Sequence, residues 1–138
     1  MSDGPGLVRS YYERALSCAD WPLLDTIVAD DFVEHELVPG VPPTREGLKQ
    51  KYDLLRTGFA DLAFRVEDLV VSGDRVAARV GVSGTHTGPM LGREPSGRTF
   101  AVTSVGIFRL ADGRIAEHWG VFDQIGMLMQ LGAFPRQG

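Results

Sequence analysis

RTFAVTSVGIFRLADGRIAEHWGVFD, residues 98–123, decides the fold. Two runs rich in β-branched and aromatic residues, RTFAVTSVGIFRL and RIAEHWGVFD, flank ADG (111–113), with Gly113 suited to positive φ. A short turn of that chemistry joins antiparallel neighbours. Working back along the chain, LAFRVEDLVV meets RVAARVGVSGTH through SGD (72–74), a second hairpin. Between the two, GPMLGREPSG (88–97) is too rich in Gly and Pro for a strand and reads as a loop. From residue 62 onward the pattern is an antiparallel meander.

Ahead of the meander the period becomes helical. Ser2 or Asp3 is placed to cap a first helix with Pro5 in its first turn. Leu7, Tyr11 and Ala15 form one i, i+4 row, and Val8, Tyr12 and Leu16 the next. Asp20 is placed to cap a short second helix with Leu24, Ile27 and Val28 on one face. DFVEHEL (31–37) switches to period two, with Val33, His35 and Leu37 facing one way and Phe32, Glu34 and Glu36 the other. VPGVPP (38–43) must be a loop, since its prolines serve neither ladder nor helix interior. Thr44 opens a third helix carrying Leu48, Tyr52, Leu55 and Phe59, and the apolar tail QIGMLMQLGAF reads as a short covering helix. The order predicts an α+β fold in one domain, residues 1–138. A strongly curved mixed or antiparallel sheet wraps around three N-terminal helices as a conical barrel, and such a cone is a natural ligand cavity.

Composition narrows the function. The chain has 138 residues, 43% hydrophobic and 23% charged, with a net charge of −4. Its Lys and Arg are scattered, so no nucleic-acid face is expected. No apolar run approaches the ~20 residues of a membrane span, and MSDGPGLVRSYYERAL is no signal peptide. A single cysteine, Cys18, fits a cytoplasmic protein and is expected as a buried structural thiol. His35, His86 and His118 lack short-range ligand spacing, so no metal site is expected. No phosphate loop or GxSxG elbow is present.

Strand parity then sorts the polar candidates. His35 shares its phase with Val33 and Leu37, and His86 with Val76, Ala78, Val80 and Val82, which points both inward. On the last strand Ile115, Glu117, Trp119, Val121 and Asp123 share one face, and Ala116, His118, Gly120 and Phe122 the other. Parity puts Asp123 inside and His118 outside, unless a β-bulge at Gly120 resets the phase. Each candidate has a plainer alternative: Asp123 as a helix N-cap, His35 as a backbone-bonded histidine, His118 as an interface residue, Glu117 as a solvated charge. The chemical expectation is a carboxylate in an apolar pocket near an imidazole, walled by Tyr12, Trp119 and the Met-rich tail. Such a site suits a flat, apolar or aromatic ligand and proton abstraction next to a carbonyl.

DFVEHELVPGVPPTREGLK, GDRVAARVGVSGTHTGPMLGREPSGR and IFRLADGRIAEHWGVFDQIGMLMQLG together resemble the SnoaL-like polyketide cyclases. That family lies within the nuclear-transport-factor-2-like superfamily, and the resemblance spans roughly residues 7–132. It implies ring closure on a polyketide by intramolecular aldol condensation without metal or cofactor, in a homodimer paired through the outer sheet face. It implies an acidic residue at the end of the last strand as general acid/base, a position Asp123 occupies, with His35, His86 and His118 competing as its partner. On that reading His35 orients or polarises, while Tyr12, His86 and Trp119 shape the substrate pocket. The chain departs from the pattern at Phe108, where a polar residue would help. Hydroxylases, hydrolases and plain binding domains on the same fold are the alternatives.

Overall fold

Asp3 opens the first helix: its carboxylate accepts the Gly6 N–H, and Pro5 occupies the first turn, where no N–H is needed. The structure, a computed structural model, describes residues 3–90 and 92–133. Helix α1 (Gly4–Ser10) continues without a break into a π-helical stretch, Tyr11–Leu16. The wider turn brings the sequence neighbours Tyr11 and Tyr12 inward together, 0% and 3% exposed. Helix α2 (Trp21–Ile27) is capped by Asp20, whose carboxylate accepts the Leu23 N–H at 3.1 Å. Helix α3 (Arg45–Gly58) is capped by Thr44, which accepts the Gly47 N–H at 3.2 Å. Gly47 is needed there, since a Cβ would lie 1.8 Å from the Pro42 carbonyl oxygen.

Five strands form one open sheet in the order β1-β5-β4-β3-β2. They are β1 (Val28–Glu34), β2 (Ala63–Ser72), β3 (Arg75–Thr85), β4 (Thr99–Ala111) and β5 (Arg114–Phe122). Strand β1 runs parallel to β5 and the other pairings are antiparallel, so the sheet is mixed. The last hairpin turns on Asp112 (φ 52) and Gly113 (φ 74), both left-handed as a two-residue hairpin loop requires. The helices fill the concave side: Leu7, Val8, Leu16, Leu24 and Leu48 pack with Val76, Val80, Phe108 and Ile115 into one core. Helix α4 (Gln124–Gln130) buries Met127 and leaves Ile125 and Met129 exposed. Among the described residues no helix is long and apolar enough to cross a membrane. Cys18 is exposed, not the buried thiol expected, because it falls at the frayed end of the π-helical stretch.

Two strand phases differ from the sequence expectation. On β1 the buried residues are Val28, Phe32 and Glu34, while Val33 is 41% exposed and His35 is also outside. Counting apolar side chains favoured the Val33 face, yet Phe32 and a paired carboxylate define the inside. On β5, Arg109 pairs with Glu117 but Leu110 pairs with Ile115, leaving Ala116 as an extra residue. This bulge buries Ile115 and Ala116 in succession and resets the alternation. His118 therefore points inward, and Glu117, Trp119 and Val121 point outward.

Asp61, in the α3–β2 connection, ties that loop to the end of β3. Its carboxylate accepts the Thr85 N–H at 2.7 Å and the Thr85 hydroxyl at 2.8 Å. Those bonds hold its carboxyl below the ordinary 3.8. A depressed folded-state pKa contributes stability above the unfolded value, lost as pH falls through the folded one. Asp61→Asn is thus expected to be less stable than the wild type at pH 7, with the gap closing toward pH 2; urea melts at both pH values check this.

Candidate active site

The reset phase on β5 and the inner phase on β1 meet at one pair: Glu34 stands opposite His118 in the β1–β5 register. The His118 Nδ1–H donates to Glu34 Oε1 at 2.6 Å, with the two side chains 4% and 7% exposed. A carboxylate only accepts, so Nδ1 carries the hydrogen, and in that tautomer of the ring Nε2 bears the lone pair. Nε2 is buried and has no hydrogen-bond partner among the described residues. Phe108 packs against the imidazole with ring centroids 4.6 Å apart, and Tyr11 and Tyr12 pack edge-on against Phe108. Glu34 Oε1 also accepts the Glu36 N–H at 3.0 Å, which folds the chain just past β1 and brings Glu36 toward the same interior.

Two glycines let the imidazole lie close against the β4 and β5 backbones. Gly106 and Gly120 are cross-strand partners on the inner face. A Cβ on Gly106 would lie 2.7 Å from His118 Nε2 and 2.7 Å from the Tyr12 hydroxyl. On Gly120 it would lie 2.5 Å from Glu36 Oε1 and 2.9 Å from His118 Nε2. An imidazole nitrogen, a phenol and a carboxylate thus converge on two glycine backbones, where any larger residue would displace them. Burial pushes the Tyr11, Tyr12 and Tyr52 hydroxyls above their ordinary range, so they stay protonated donors. Burial works against the Lys51 charge, but the Tyr52 hydroxyl oxygen beside it and the Glu36 and Glu34 carboxylates outweigh it and hold the ammonium. Lys51 Nζ lies 3.5 Å from Glu36 Oε2, and both line a narrow cleft with Glu34, Val41, Pro42 and Pro43.

The other sequence candidates lie elsewhere. Asp123 is exposed at the end of β5 and caps α4, its Oδ1 accepting the Gly126 N–H at 2.8 Å. His35, expected inside, sits on the outer face; it donates from Nε2 to Glu117 Oε2 at 2.7 Å and stacks on Trp119 at 4.6 Å. Trp119, expected as a pocket wall, belongs to that outer cluster, with Arg75 over its ring at 4.9 Å. Hydrogen bonds from His35 and then from Arg109, the latter at 2.5 Å, hold the Glu117 carboxyl below its ordinary value. His86 is buried and inward, as its phase indicates, and its Nδ1 accepts the Ser96 N–H at 3.2 Å. It lines a separate cavity of about 270 Å³ with Met90, Arg93, Ser96, Leu131 and Ala133. Ala78 pairs with Gly106, and His86 lies further along the strand by roughly 25 Å at ~3.3 Å per residue. Sequence reasoning missed Glu34 and Glu36; their shared phase with Phe32 was the available signal.

The family model of the SnoaL-like polyketide cyclases matches residues 6–131. The chain belongs to that family. This SnoaL-like chain is 33% identical over 110 residues to the aklanonic acid methyl ester cyclase DauD of Streptomyces sp. (strain C5), covering 74% of this chain and 68% of that protein. It is 30% identical over 112 residues to the nogalonic acid methyl ester cyclase of Streptomyces nogalater, covering 79% and 83%. Among solved structures, wild-type IdmH of Streptomyces antibioticus, a candidate polyketide cyclase, superposes with a TM-score of 0.86 at 34% identity over 95% of this chain and 99% of that one. The conical α+β architecture implied by the sequence resemblance is the one observed, with the sheet open rather than closed.

Proposed function

We propose that this chain closes a ring on a polyketide ester by intramolecular aldol condensation, with His118 as the proton-transferring group. The observation that carries this is the buried Glu34–His118 pair, whose Nε2 has no hydrogen-bond partner among the described residues and lies close against Gly106 and Gly120, near the Tyr12 hydroxyl and Glu36 Oε1. The Nε2 lone pair removes a proton from a carbon next to a carbonyl, and Glu34 steadies the resulting imidazolium through Nδ1–H. The enolate carbon bonds to the second carbonyl carbon, whose π pair moves to oxygen. The imidazolium returns its proton to that alkoxide, so the product is an isomer of the substrate. The Tyr12 hydroxyl is the donor for the developing enolate oxygen. Every group in this scheme belongs to the chain itself. The cleft beside Glu34 has about 10 Å³ of free space, room for one water and not a polycycle. Substrate admission therefore requires its walls to part, residues 35–44 between β1 and α3 being the wall outside helix and strand.

Aklanonic acid methyl ester, the substrate in the name of a relative, is the first compound to try, with ring closure followed as a product of equal mass and changed retention. In that assay Asp123→Asn is expected to keep turnover within about threefold of the wild type, because asparagine caps a helix as well as aspartate. A loss of a hundredfold or more would return the proton transfer to Asp123.

The 270 Å³ cavity at His86 favours a second reading, a binding domain that holds an apolar molecule without converting it. It requires ligand affinity that His86→Phe abolishes and no conversion of any ester. Exposed Val33, Val105, Ile107 and Val121 on the outer sheet face support a homodimer paired through that face. A cytoplasmic location completes the reading, supported by the lone cysteine.

A further inference from the structure

We infer that Glu36, positioned by Lys51, is a second catalytic carboxylate, the group that accepts a hydrogen bond from the Nε2–H of His118 once the imidazole has taken the substrate's proton. The inference rests on the reading of His118 as the base. The Glu34 carboxylate secures one face of the imidazole, at Nδ1. A second carboxylate oxygen, Glu36 Oε1, lies near the ring; like Nε2, it is within 3 Å of the point a Gly120 Cβ would occupy. No bond joins the two atoms, since Nε2 has no hydrogen-bond partner among the described residues; a reacting atom or a water enters between them once the cleft walls part. Glu36 is held there from both ends. Its backbone N–H donates to Glu34 Oε1 at 3.0 Å, and its other carboxylate oxygen, Oε2, lies 3.5 Å from Lys51 Nζ.

That arrangement divides the carboxylate into a tethered oxygen and a free one. Lys51, 13% exposed, keeps its positive charge and fixes Oε2, leaving Oε1 on the side of Gly120 and the imidazole. In the enolate intermediate the substrate is negative and the imidazolium positive. An isolated imidazolium would be committed to the atom it had just deprotonated. With Glu36 Oε1 beside it, the Nε2–H has a second acceptor while the enolate carbon turns to form the C–C bond. The proton is then available to the alkoxide at its new location. No bond beyond those of the aldol step forms or breaks: the proton leaves carbon, resides on Nε2 between enolate and Glu36, and ends on the alkoxide oxygen. Lys51 is a positioning residue in this scheme, since it touches Glu36 and not the reacting atoms.

The test compares Glu36→Gln, Lys51→Met and Lys51→Arg with His118→Asn, using aklanonic acid methyl ester. Glu36→Gln preserves shape and the backbone bond, and is expected to lower kcat by about 30- to 100-fold with KM changed less than threefold. Lys51→Met is expected to lower kcat by about tenfold, and Lys51→Arg, which keeps the charge, to restore most of it. Loss of activity in His118→Asn with full kcat in Glu36→Gln overturns the role of Glu36 and leaves His118 as the base. Full activity in His118→Asn removes the reading beneath it. A crystal structure of the wild type supplies a readout that needs no turnover. A water within about 3.2 Å of both His118 Nε2 and Glu36 Oε1 is expected. A Glu36 carboxylate turned out to solvent would overturn the inference.

Discussion

His118→Asn is expected to lower kcat for ring closure by roughly 10²- to 10⁴-fold, the range that one general acid/base group supplies. Asparagine places an N–H close to where Nδ1 stands, so the bond to Glu34 Oε1 survives, but nothing replaces Nε2. The change therefore separates the lone pair from the buried hydrogen bond. The smaller side chain leaves a void under Phe108, and a modest loss of stability, on the order of 1–2 kcal/mol, accompanies it. Circular dichroism at the assay temperature shows whether the variant is folded. A folded variant with wild-type kcat would take the chemistry away from this histidine.

The second large effect falls on the fold as much as on turnover. Glu34→Ala strands the His118 Nδ1–H and the Glu36 N–H in a region where both side chains of the pair are less than 10% exposed. Each buried N–H left without an acceptor costs about 1–3 kcal/mol, so stranding the two costs about 2–6 kcal/mol together. For a domain of this size that lowers Tm by roughly 10 °C. Glu34→Gln is the matched control: its amide oxygen accepts both N–H groups, so stability is largely retained. Its kcat is expected to fall, since a neutral amide no longer steadies the imidazolium. A Glu34→Ala protein as stable as Glu34→Gln would mean that the pair contributes little to the interior.

Helices α1 to α3, both hairpins and the caps at Asp3, Asp20 and Thr44 follow from residue chemistry read locally. The site did not, because two local features changed which face each strand presents. The extra residue at Ala116 is invisible to a count by twos, and it moves His118 inside and Trp119 outside. On β1 the error came from treating charge as a sign of exposure. Val33 and Leu37 outweigh Glu34 and Glu36 on any hydrophobic scale, yet the carboxylate of Glu34 is buried because an imidazole from another strand meets it. His86 faced inward as expected, since Val76, Ala78, Val80 and Val82 keep an uninterrupted alternation on β3. Asp123 had the plainer of its two readings in view from the start: a strand end followed by an apolar helix is where an N-cap belongs. The π-helical widening at Tyr11–Leu16 leaves no mark in the i, i+4 rows, which place both tyrosines correctly all the same.

A crystal structure with the cyclised product of aklanonic acid methyl ester bound tests the central claim most directly. The carbon or oxygen that exchanged the proton is expected within about 3.5 Å of His118 Nε2, on the side of Gly106 and Gly120. A product seated in the His86 cavity, or against the Asp123 carboxylate at the end of β5, would contradict it.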